Sequence, residues 1–221
     1  MHTHAMPDLP YETAWLAEVV MEVASKIPYD HQSQDELLKI VLDKVDASRL
    51  EITESWVGFD KNASNVLDHY WDSPGKETGF KDRHYINVRA FLARLISSTA
   101  DGSNSSLIWP IVTLRDQLET LRKPEVLSTM IAGVSVSLLL AGPWLYRRVA
   151  LYPRPSLDAD DQRSFRASEL YRGALVSKEC WGHWRDTLKA KVKGDELNDE
   201  ARALALDAVF LMGALERHCK W

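Results

Sequence analysis

Val126 to Tyr146 is a run of 21 residues without a single charge, and it constrains this chain more than any other feature. A helix of that length, apolar on every side, either crosses a bilayer or lies at the centre of a helical domain. Arg147-Arg148 follows it and would suit a cytoplasmic membrane flank. Ser128, Thr129, Ser135, Ser137, two glycines and Pro143 lie inside the run and favour a protein environment. The neighbouring segments decide the matter: each carries an apolar face that needs cover. The run is therefore placed at the centre of an all-α, single-domain multi-helix bundle, and a membrane span is disfavoured.

The spacing predicts those neighbours. A first helix runs from about Tyr11 to Ile27, with Trp15, Leu16, Val19, Val20, Val23 and Ile27 as its stripe and Pro28 as its stop. Ser33 with Glu36 forms a capping box for a second, which buries Leu37, Leu38, Val41, Leu42 and Val45. Glu51 to Lys81 is read as anchors among polar residues, with a short helix near Ala63 to Tyr70. Further helices are expected over Asp82–Ser98 and Leu107–Leu121, the second ended by Pro124. After Pro153 and Pro155 the pattern predicts helices over Arg163–Tyr171, Ser177–Lys193 and Asp199–His218. No segment alternates as a strand would, and no repeat is visible.

The chain is 221 residues long, which suits one domain over 1–221 with residues 1–10 flexible. A net charge of −5 argues against a nucleic-acid partner. Cys180 and Cys219 are too few for a disulfide framework, and Met1–Pro7 has no basic-then-apolar start, so a cytoplasmic location with reduced thiols is expected. A homodimer is left open.

Several constellations carry candidate chemistry. Asn87 and Arg94 lie seven residues apart, on nearly the same helix face beside the apolar stripe, where they could hold a carbonyl or carboxylate. The plainer reading is that they brace helices. Arg115 and Glu119 have surface ion-pair spacing, and Glu119 gains interest only if buried. Eight tryptophans are many for this length. Trp144, Trp181 and Trp184, with Phe91 and Tyr146, could wall a pocket for a hydrophobic small molecule, or simply fill the core. His183 is a candidate acid or base. Asp158-Ala159-Asp160-Asp161 lies in a proline-flanked loop and has no second ligand motif, so it is not read as a magnesium site. His69, His84 and His218 lack zinc spacing, and no phosphate loop, serine elbow or zincin motif is present. No metal or cofactor is expected.

Four segments taken together resemble a fungal family known as a domain of unknown function. They are the Trp15–Val45 hairpin, Tyr85–Leu95, Leu114–Glu119 with the run ending Gly142-Pro143-Trp144-Leu145-Tyr146, and Gly173 to Trp184. The second is similar to Trp-x-Asn-x-x-Ala-Phe-x-Ala-Arg-Leu, with Tyr85 in place of tryptophan. The fourth is similar to Arg-Trp-x-x-Trp, with Cys180 in place of arginine. The resemblance implies an all-helical fold and, since some members sit in secondary-metabolite gene clusters, a biosynthetic role. The expectation is a cofactor-independent enzyme that steers cyclisation or isomerisation, of pericyclic type, in a Trp-lined pocket. Arg94, Asn87, Glu119 and Tyr85 would be its polar set. The alternative is a non-catalytic module that binds another protein between its helices.

Overall fold

The computed structural model describes residues 11–47, 82–99, 109–119, 124–151, 170–173 and 176–219. Seven α-helices occur among the described residues, and no strand does. They are α1 (Tyr11–Lys26), α2 (Ser33–Ala47), α3 (Asp82–Thr99), α4 (Trp109–Leu118), α5 (Pro124–Tyr146), α6 (Lys178–Lys193) and α7 (Asp199–His218). A π-helical turn, Arg147–Leu151, continues α5.

The chargeless run is α5, and it lies at the centre. α3 packs along one side of it and α7 along the other. α1 and α2 lie on the outer side of α3, while α6 packs on α7 and on the π turn. α4 bridges α5 and α6. By length and composition alone α5 could cross a membrane, but most of that stretch is buried among its neighbours. Its serines are tolerated because their hydroxyls bond one turn back. Ser135 Oγ donates to the Ile131 carbonyl at 2.6 Å, and Ser137 Oγ to the Gly133 carbonyl at 2.9 Å. Gly133 lets α3 come close: a Cβ there would stand 2.6 Å from Tyr85 Cε1.

Caps fix the ends of the last two helices. Ser177 Oγ accepts from the Cys180 N–H at 3.0 Å, as its position predicts, and Asn198 accepts from the Ala201 N–H at 2.9 Å. α7 runs over the predicted Asp199–His218. Arg185 pairs with Glu216 between α6 and α7, and Arg83 reaches Glu200 at 2.7 Å from α3 to α7.

Several expectations need correction. In α1 the buried side is Ala17, Val20, Met21 and Ala24, while Trp15, Val19 and Val23 face out. Small residues on the inner side let α1 approach α3, and the larger apolar stripe is left outside. α2 has Ser33 as its first residue, and the Gln32 carbonyl takes the Glu36 N–H, so Gln32 occupies the cap position. α4 stops at Leu118. Glu119 donates its N–H to the Arg115 carbonyl at 2.7 Å and gives its own carbonyl to the Leu170 N–H at 3.2 Å. Leu170–Gly173 is not helical. The rest of the predicted 163–171 helix, the short helix near Ala63–Tyr70, His69 and the Asp158–Asp161 cluster lie outside the described residues.

Candidate functional site

The residues nominated from sequence do not converge on one spot. Asn87 and Arg94 brace α3 against α1 and α2. The Asn87 amide donates to the Ser25 carbonyl at 2.8 Å, and Arg94 Nε donates to Asp35 at 2.9 Å. Gln34, fully buried and missed by sequence reasoning, joins them. Its amide donates to the carbonyls of Ile27 at 2.8 Å and Ala24 at 3.2 Å, satisfying the C-terminal end of α1. Gln34 continues the stripe of Leu38 and Val41, and that register was the available signal.

Tyr85 turns the other way, into the seam between α3 and α4, where its hydroxyl accepts from the Gln117 amide. Phe91 is fully buried in the core. A cavity of about 20 Å³, room for roughly one water, lies between α3, α4 and α5. It is lined by Arg89, Leu92, Thr113 and Ser137 among others, and by none of the nominated residues. The buried Arg89, like Gln34, replaces an apolar residue on a helix's inward face.

A second group does assemble, where α4 ends against α6. Glu119 is fully buried, and Trp184 Nε1 donates to its Oε1 at 2.6 Å. The Cys180 thiol lies 3.9 Å from the same oxygen. Cys180, Trp181, Trp184 and Leu188 repeat at helical steps and form the buried face of α6. Trp181 meets Tyr146 edge to face, with centroids 5.1 Å apart. Glu119 Oε2, Trp181 Nε1 and His183 Nε2 are buried and have no hydrogen-bond partner among the described residues. Burial, and next the Glu119 carboxylate, push the Cys180 thiol far above its ordinary value. Burial likewise raises Tyr146, helped by Glu216, and raises Tyr171 against the opposing bond from Ser177. His183 stacks on Tyr171 at 4.7 Å.

The expected Arg115–Glu119 surface pair is therefore absent. Arg115 Nε donates to Asp116 at 2.9 Å, and Glu119 turns inward to the tryptophan. Trp144 stands apart at the end of α5, half-buried, with the Arg148 guanidinium 5.7 Å from its ring centre. No group of three or more potential metal-ligating side chains occurs among the described residues.

What this arrangement offers chemically is a carboxyl with one oxygen held by an indole and the other buried without a hydrogen-bond partner among the described residues, in an aromatic surround. The π turn beside it is a backbone form often found near functional sites. No curated protein and no solved structure matches the chain. The model of one family, described as a protein of unknown function (DUF3632), matches residues 18–188, from the first helix to the tryptophan-bearing one, and the chain belongs to that family.

Proposed function

We propose that this chain is a non-catalytic helical interaction module that takes an amphipathic helix of a partner protein along the outer side of α1. One observation carries the reading. Trp15, Val19 and Val23 stand at four-residue steps and are 56%, 39% and 40% exposed. Apolar anchors at that spacing are what helix-to-helix recognition uses, and tryptophan is the residue most often found at the energetic centre of such contacts. Glu18 and Glu22 border the ridge on one side, and Lys26 is taken up by Glu22 at 2.6 Å. A complementary partner helix therefore carries lysine or arginine along its matching edge.

A synthetic amphipathic helix with leucines at four-residue steps and lysine edges tests this. It should shift backbone amide signals of α1 and be weakened at least tenfold by Trp15→Ala. Equal binding by the same peptide with glutamate edges, or shifts outside α1 and α2, would overturn the reading.

A second reading is a cofactor-independent enzyme guiding cyclisation or isomerisation of a hydrophobic intermediate. The unpartnered Oε2 of the buried Glu119 favours it, because a positioned carboxyl in a buried aromatic surround can stabilise developing positive charge. Metabolite profiling of a host carrying Glu119→Gln tests it. Loss of one product with retained protein levels supports the reading, and an unchanged profile sinks it.

A further inference from the structure

The outer side of α7 carries a pattern that is complementary to itself. Ala201, Ala205, Ala208, Met212 and Leu215 are buried against α5 and α6. Directly opposite, Phe210 is 74% exposed and Leu206 is 52% exposed. At 100° per residue, Phe210 is the centre of the outward face, with Ala203, Leu206, Asp207, Gly213, Ala214 and Arg217 around it. A large apolar knob thus stands one turn before a hollow made by Gly213 and Ala214. Asp207 and Arg217 flank the patch at its two ends, and neither has an ion-pair partner among the described residues. Arg217 currently leans over the hollow: a Cβ on Gly213 would lie 3.2 Å from Arg217 Nη1.

From this we infer that two copies of the chain pair through antiparallel α7 helices about a two-fold axis near Met212. In that register Phe210 of each copy sits over Gly213 and Ala214 of the other. Asp207 of each then faces Arg217 of the other, so Arg217 swings off the hollow toward a carboxylate as the phenyl ring fills it. A two-fold contact requires one patch to be its own complement, and the knob, hollow and opposite charges meet that requirement. A parallel pairing would set Asp207 against Asp207 and Arg217 against Arg217. A contact of one helix face per copy falls at the small end of specific interfaces. The surface is separate from the α1 ridge: α7 covers one side of α5, while α1 lies beyond α3 on the other.

Sedimentation velocity of the full chain over a micromolar concentration series tests the inference. The expected result is a monomer–dimer equilibrium that weakens with added salt. Phe210→Glu should raise the dissociation constant at least tenfold, with the circular dichroism melt unchanged because the ring is exposed. Asp207→Arg and Arg217→Asp should each weaken the dimer, and the double variant should restore it. A chain that stays monomeric throughout, a dimer indifferent to Phe210→Glu, or single swaps that the double variant fails to rescue would each overturn it.

Discussion

The bond between Trp184 and Glu119 joins a helix face to a segment 65 positions away, and at 2.6 Å it is the shorter of the two side-chain contacts to that buried carboxyl among the described residues, the Cys180 thiol lying 3.9 Å from the same oxygen. Trp184→Phe keeps most of the packing and removes the donor. It should cost about 1–3 kcal/mol in urea unfolding, since the buried acceptor is then left with only the weak thiol donor of Cys180. A change below about 0.5 kcal/mol would mean that the bond adds little beyond packing. The neighbouring Cys180 sets an alkaline limit. Its thiol titrates near 9.0 when exposed and well above that when folded. The folded chain thus retains a proton that the unfolded chain releases. Stability is unaffected below pH 9 and falls as pH rises beyond it, by at most about 1.4 kcal/mol per unit. The buried Tyr146 and the half-buried Tyr171 add a loss of the same sign from about pH 10. Cys180→Ala should flatten the dependence between pH 9 and 10, as read from unfolding curves at stepped pH.

Among the helices, two glycines make opposite predictions. Gly182 lies inside α6 with nothing within 4 Å of where a Cβ would sit. Gly182→Ala should stabilise by about 0.5–1 kcal/mol, through helix propensity alone. Gly133→Ala must push Tyr85 or separate α3 from α5, and should destabilise by about 1–3 kcal/mol. Thermal melts of the two variants should move in opposite directions. The helices themselves were largely legible: α7 has its predicted bounds, and Ser177 and Gly194 bracket α6 as expected. Faces were harder to read. α1 carries two candidate apolar stripes, and hydrophobicity favours the one with the tryptophan. The buried one won because Ala17 and Ala24 permit close approach to α3, a property of the partner helix that no local pattern contains. The candidate site was legible in part. The two-tryptophan face of α6 follows from spacing, but the same kind of spacing pairs Glu119 with Arg115 on a solvent face. Only the end of α4 at Leu118 turns it inward, and that end depends on a carbonyl taken by Leu170.

At the scale of the molecule, α5 is held by one neighbour from earlier in the chain and one from later. A chain ending at Leu197 lacks α7 and uncovers one whole side of α5. It should lose cooperative melting and elute in the void volume on gel filtration without detergent. A soluble monomer with a sharp melt would contradict this account of the core. The same arrangement has a consequence during synthesis. α5 is complete about 50 residues before α7 begins, and at 5–20 residues per second that interval lasts several seconds. Throughout it the growing chain displays a helix that, by length and composition, passes for a membrane anchor. Correct sorting of the nascent protein thus becomes a race between targeting factors that read hydrophobic segments and the arrival of its own C-terminal helix.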